Sequence, residues 1–109
     1  MTYGLSSKTI RSIQEVFTHY PQIDKAILYG SRARNNYRRS SDIDITLMGT
    51  NLSLSLLAKV ESEIDDLLLP YEFDISCYQS IKNTDLKRHI DQVGKVFYTK
   101  DCLPQSLER

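Results

Sequence analysis

Two aspartates one residue apart, Asp42 and Asp44, open the apolar run Ile43-Asp44-Ile45-Thr46-Leu47-Met48. In extended backbone, alternate residues share a face, so both carboxylates emerge on one side. Asp44 stands among apolar neighbours, where an ionised carboxylate is costly unless something positive meets it. A third carboxylate, Asp74, stands in a similar run, Tyr71-Glu72-Phe73-Asp74-Ile75-Ser76. If the two runs pair as strands, Asp74 lies ~5 Å across from the first pair. Three such carboxylates repel one another unless a divalent cation sits among them. Aspartate oxygens suit Mg²⁺ or Mn²⁺, which keep water and phosphate oxygens as further ligands. Taken singly, Asp42 also fits a turn or cap, and Asp44 and Asp74 also fit strand-edge carboxylates paired with arginine. His19 and His89 are the only histidines and are not at ligand spacing, which argues against zinc.

The other end of the same stretch is an anion device. Gly30-Ser31 ends the apolar run Lys25-Ala26-Ile27-Leu28-Tyr29 and stands ten residues before Asp42. Gly30 lets a ligand approach the backbone with no Cβ in the way. Ser31 begins a segment of helix formers, Arg32-Ala33-Arg34, so a short helix is expected there. Its free N–H groups and the serine hydroxyl would form an anion site. Arg32, Arg34, Arg38 and Arg39 lie between the two ends with no acidic residue among them. They fit a polyphosphate or the acidic cluster, and any one of them fits a solvated basic loop at least as well. Arg32, nearest the Gly-Ser pair, is the foremost phosphate candidate. Tyr37 either stacks on a base or packs.

The elements that must position these groups follow from periodicity. Residues 7–19 read as an amphipathic helix, with Ile10, Ile13, Phe17 and Tyr20 in phase, capped by Ser6 or Ser7 and stopped by Pro21. Residues 25–29 and 43–48 read as strands, the second ended by Gly49. Asn35-Asn36 breaks the intervening segment, since Asn tolerates left-handed backbone. Ser53 caps a helix to about residue 69, with Leu54, Leu57, Val60, Ile64 and Leu68 as its stripe and Pro70 as its stop. Leu56 and Leu67, eleven residues apart on the flank, belong either to a wide core-facing stripe or to a contact edge for another subunit. Residues 71–78 read as a third strand. Asn83 caps a helix with Leu86, Ile90 and Val93 on one face and Gly94 as its stop, and 95–98 form a last strand. The class is α/β (α+β), a small mixed sheet of about four strands flanked by helices.

At 109 residues the chain reads as one domain, residues 1–100, followed by an aperiodic tail, 101–109, expected to be flexible. Apolar residues at 40%, charged residues at 26% and a net charge of +0 exclude a molecule-wide field for nucleic acid or an anionic membrane. Cys77 and Cys102, with no CxxC, fit reduced thiols and a cytoplasmic setting. No signal peptide is read at the N-terminus, and no apolar run approaches the ~20 residues of a membrane span.

The spacing Gly-Ser, ten residues, Asp-x-Asp resembles the signature of the polymerase-beta-like nucleotidyltransferase superfamily. The fuller text Gly30-Ser31-Arg32-Ala33-Arg34, Tyr37-Arg38 and Ser41-Asp42-Ile43-Asp44 resembles its minimal branch, the MNT proteins, the antitoxin half of HEPN–MNT pairs. Leu69-Pro70-Tyr71 with Asp74, and the segment from Leu86 to Tyr98, extend the likeness over about residues 7–98. Asn35-Asn36 departs from relatives that carry glycine there. The resemblance implies that Gly30, Ser31, Arg32 and Ser41 hold the nucleoside triphosphate. It implies that Asp42 and Asp44 hold two Mg²⁺ ions and that Asp74 joins them and assists deprotonation. It implies transfer of a nucleotide monophosphate, AMP from ATP, to a hydroxyl of a HEPN ribonuclease toxin, which allows a homo- or hetero-oligomer; four arginines with one tyrosine on a neutral domain argue against direct nucleic-acid binding. Two alternatives stand beside it: an antitoxin acting by contact with a vestigial site, and a transferase modifying a small molecule such as an aminoglycoside. The intact carboxylates argue against the first and the short chain against the second.

Overall fold

The computed structural model describes residues 2–100; the expected tail, 101–109, and Cys102 with it, lies outside the described residues. The order is α1 (Ser7–Thr18), β1 (Ile23–Tyr29), β2 (Ile43–Gly49), α2 (Leu54–Asp65), β3 (Phe73–Cys77), a 3-10 turn (Tyr78–Ser80), α3 (Thr84–Val93) and β4 (Lys95–Thr99). Each helix starts where a side chain satisfies orphan amides. Ser6 accepts from the Thr9 N–H, Ser53 from Leu56, and Asn83 from both Asp85 and Leu86.

The four strands form one mixed sheet in the order β3-β2-β1-β4. β1 pairs antiparallel with β2 and β4, while β2 pairs parallel with β3. A parallel neighbour requires a crossover, and α2 supplies it. Alternation along β2 sorts the two faces. Ile43, Ile45 and Leu47 join Phe17 and Ile13 of α1 and Val60 and Ile64 of α2 in the main core. On the other face Ile27 and Tyr29 pack with Ile90 of α3, flanked by Met48, Tyr78 and Leu86. The aspartates of the sheet belong to this second, thinly covered face. Glu63 also ties α2 to α1: it accepts from the Tyr20 hydroxyl and meets His19 Nδ1 at 2.7 Å.

The helix expected over 53–69 ends early, at Asp65. Asp65 and Asp66 place negative charge at the negative end of the helix dipole, and Leu68 turns left-handed at φ 55°. Its stripe is also rotated from the expected one. Leu56, Val60 and Ile64 are buried and Leu67 packs on the core, whereas Leu54 and Leu68 are 84% and 87% exposed. Leu56 and Leu67 are therefore core residues rather than a contact edge.

Leu68 buries little and holds a conformation that favours glycine. Leu68→Gly is expected to raise stability by ~1 kcal/mol, because left-handed strain outweighs the added chain entropy of glycine. A thermal melt checks it. Among the described residues, no helix is long and apolar enough to cross a membrane.

Candidate active site

Strand register brings the chemistry together. Asp44 lies opposite Tyr29 on one side and opposite Asp74 on the other, so Tyr29, Asp44 and Asp74 form one row across β1, β2 and β3. The row sits at the end of the sheet where β1 leaves for the Gly-Ser turn. Asp42 enters from the residue pair ahead of β2. Asp42 and Asp74 are exposed, and Asp44 is half-buried between them. The next row holds Thr46 and Ser76, whose hydroxyls bond at 3.1 Å and close the polar strip below the carboxylates.

Burial pushes the Asp44 carboxyl above its ordinary value of 3.8, and the charges of Asp74 and Asp42 push it the same way, while His89 opposes them. Burial also raises the Tyr29 hydroxyl, helped by the charges of Asp74 and Asp44. The ion pairs found among the described residues engage none of the three aspartates. Among the described residues, the three carboxylates thus stand together with no ion pair of their own. No three acidic, histidine or cysteine side chains among the described residues close on one point as a preformed cage. Mutual repulsion accounts for the open arrangement. The donor set is all oxygen, which suits a hard divalent cation that keeps outside ligands.

Gly30 makes the close approach possible. Its φ is +80°, and a Cβ built on it would stand 2.3 Å from Asp44 Oδ2. The carboxylate occupies the space that any other residue would fill. Gly30→Ala therefore combines left-handed strain with a clash against Asp44. It is expected to lower stability by ~1–3 kcal/mol and to displace the carboxylate, so urea unfolding and nucleotide affinity should both deteriorate.

The segment after Gly30 is not the expected short helix. Arg34 N–H bonds to Gly30 O and Asn36 N–H to Ser31 O, each at 3.1 Å, which makes one turn only. Asn35 then goes left-handed at φ 64° and ends it. The helix-terminus part of the anion argument falls with the helix, and the Ser31 hydroxyl and nearby backbone remain.

Arg32 does not point at a phosphate. It is 2% exposed. Its Nη1 donates to Tyr3 O at 2.8 Å, its Nη2 to Ser41 O at 2.9 Å and Arg39 O at 3.3 Å, and its Nε to Ser41 O at 3.2 Å. Its guanidinium carbon lies 5.3 Å from the Tyr37 ring centroid and 5.0 Å from that of Tyr71. Every nitrogen that would meet a phosphate is engaged, so Arg32 is the post around which the loop is wound. Ser41 shares that work: its carbonyl receives Arg32, and its hydroxyl accepts from Arg38 N–H at 2.8 Å. Tyr37 packs on Arg32 as well. Arg34, Arg38 and Arg39 are exposed.

Two residues at the site escaped the sequence reading. Tyr29, immediately before Gly30, faces Asp44. His89 accepts from the Gly30 N–H through Nε2 at 3.2 Å and packs edge-on against Tyr29. The signal for His89 was present: it falls on the apolar face of its helix, beside Leu86, Ile90 and Val93.

The family model described as polymerase beta, nucleotidyltransferase matches residues 11–102. No curated protein sequence matches the chain. A toxin–antitoxin crystal structure with AMP-PNP superposes with a TM-score of 0.69 at 20% identity, over 84% of this chain and 73% of that one. The MntA–HepT toxin–antitoxin gives 0.65 at 17% identity, over 88% and 74%. A tri-AMPylated Shewanella oneidensis HEPN toxin in complex with MNT antitoxin gives 0.66 at 16%, over 94% and 79%. At these identities the likeness is one of fold.

Proposed function

The chain belongs to the polymerase beta nucleotidyltransferase family, and on that premise we propose that it is a Mg²⁺-dependent nucleotidyltransferase moving AMP from ATP to a hydroxyl of a partner protein. The partner is a HEPN-domain ribonuclease toxin, and the chain is its antitoxin. The observation that carries the reading is the row Asp44–Asp74, side by side on parallel strands with Asp44 against Gly30, the Asp44 carboxyl raised and neither aspartate in an ion pair among the described residues. The AMP-PNP and AMPylated complexes of structurally similar proteins support the choice of nucleotide and partner.

Asp42, Asp44 and Asp74 would hold two Mg²⁺ ions, which neutralise phosphate charge, lower the pKa of the attacking hydroxyl and align both oxygens. The rest is done by the chain. The Ser31 hydroxyl and the turn after Gly30 receive the triphosphate. Gly30 provides the space that keeps Asp44 beside them. Exposed Asp74 takes the proton from the acceptor hydroxyl. That oxygen bonds to the α-phosphorus in line as the bond to the bridging oxygen breaks, and pyrophosphate leaves. Ser41 and Arg32 act indirectly, by fixing the loop that joins the two halves.

Titration calorimetry with AMP-PNP and Mg²⁺ tests the nucleotide site. Saturable binding that needs the cation, and that Asp44→Asn removes, is expected. A folded wild-type chain that binds no nucleoside triphosphate sinks the proposal.

A further inference from the structure

We infer that His89 is a positioning residue of this site, holding the Gly30 amide so that the turn and the Asp44 carboxylate keep their register. Its catalytic consequence rests on the nucleotidyltransferase reading, while the hold itself can be measured without it. The β1–β2 ladder ends at Tyr29↔Asp44. Gly30, next in the chain, turns left-handed, and its N–H leaves the ladder. A half-buried amide needs a partner, because leaving its hydrogen bond unmade costs the full desolvation of the N–H. His89 Nε2 supplies it at 3.2 Å.

Acceptance requires a neutral ring with the proton on Nδ1. The ring is itself fixed, edge-on to Tyr29 with centroids 6.2 Å apart and planes at 79°. Neighbouring Arg88 turns outward to Asp85 at 3.5 Å and does not compete. Gly30 is thus held at its N–H by α3, while the Asp44 carboxylate fills the space that a side chain on it would take. One consequence changes the division of labour in the Gly-Ser pair. The Gly30 N–H is already engaged, so Gly30 contributes space, and donation to phosphate falls to Ser31 and the backbone after it.

The test uses the full chain. His89→Phe keeps a ring against Tyr29 without an acceptor, and His89→Gln offers an amide oxygen in its place. Should phenylalanine crowd the turn and unfold the chain, His89→Leu removes the acceptor with less bulk and is read in the same way. Hydrogen exchange of the Gly30 amide, followed by NMR without nucleotide, should quicken about tenfold or more in the phenylalanine variant and return toward wild type in the glutamine variant. In the transfer assay the phenylalanine variant should lose about tenfold in kcat with the nucleotide KM nearly unchanged, as for a displaced but intact site, and glutamine should recover most of it. Wild-type exchange of Gly30 in a folded His89→Phe or His89→Leu chain overturns the inference, and so does faster exchange with unchanged kcat. If the wild type transfers no nucleotide, the functional reading fails, and Gly30 exchange still decides whether His89 holds the turn.

Discussion

Asp44→Asn is expected to cost about a thousandfold or more in nucleotidyl transfer while leaving the fold as stable as before, or more so. The two halves of that expectation have one cause. In the metal-free chain Asp44 is half-buried beside Asp74 and Asp42, and all three circumstances push its carboxyl upward. A group whose pKa is raised on folding favours the folded state most when protonated. Its contribution is complete below its ordinary 3.8 and is lost as pH rises through the raised value. At neutral pH, ionised Asp44 therefore opposes folding, and an asparagine of the same shape removes that opposition. The same substitution removes the oxygen nearest Gly30 that a cation would take. Activity and stability should move in opposite directions, as is usual where a site is built for function. The pH dependence supplies a control. The stability difference between wild type and Asp44→Asn, measured without metal, should widen against the wild type as pH rises from about 4 toward neutrality. Parallel stability curves would show that folding leaves the Asp44 carboxyl unshifted, and a wild type that gains on the variant with rising pH would mark a paired carboxylate.

Arg32→Ala is expected to be the most damaging substitution for the fold. Its guanidinium joins Tyr3 O from the N-terminal turn to Ser41 O and Arg39 O from the loop, between the rings of Tyr37 and Tyr71. Truncation leaves these carbonyls unpaired and opens a hole at a position only 2% exposed. Hydrogen bonds to a charged donor are worth ~1.5–3 kcal/mol each, so a net loss of about 3 kcal/mol or more is expected. In a domain of this size that lowers Tm by about 12 °C or more. Arg32→Lys should recover less than half, because an ammonium has neither the fork nor the flat face that the two tyrosines sandwich. Calorimetry of the three proteins checks both. If Arg32→Ala left Tm unchanged but abolished nucleotide binding, the arginine would be a ligand of phosphate after all.

Much of the site was legible because its logic is local. Alternation placed Asp44 and Asp74 on strands, with Asp42 at the entry to the first, and pairing of those strands put Asp74 beside Asp44. The ten-residue spacing tied them to Gly30-Ser31. Asn35 was readable as a left-handed residue from its type alone. What failed was whatever depends on neighbours distant in sequence. Arg32 looked like a phosphate ligand because a loop arginine beside Gly-Ser has the right chemistry, and nothing local announces that Tyr3 O and Ser41 O will take its protons. The stripe of α2 was right at Leu57, Val60 and Ile64 and wrong at its two ends, Leu54 and Leu68, because leucine is abundant on both flanks. Only packing on α1 and the sheet chose Leu56 over Leu54. His89 was read only for metal-ligand spacing, whereas its partner is a backbone amide 59 residues away.

The central claim is that the carboxylate row acts by chemistry and not by contact. It is tested most directly by the intact mass of a HEPN-domain partner after incubation with this chain, ATP and Mg²⁺. The partner should gain whole AMP increments with the wild-type chain and none with Asp42→Asn or Asp44→Asn. A partner silenced equally by the wild type and by Asp44→Asn, with no AMP increment in either case, would contradict it.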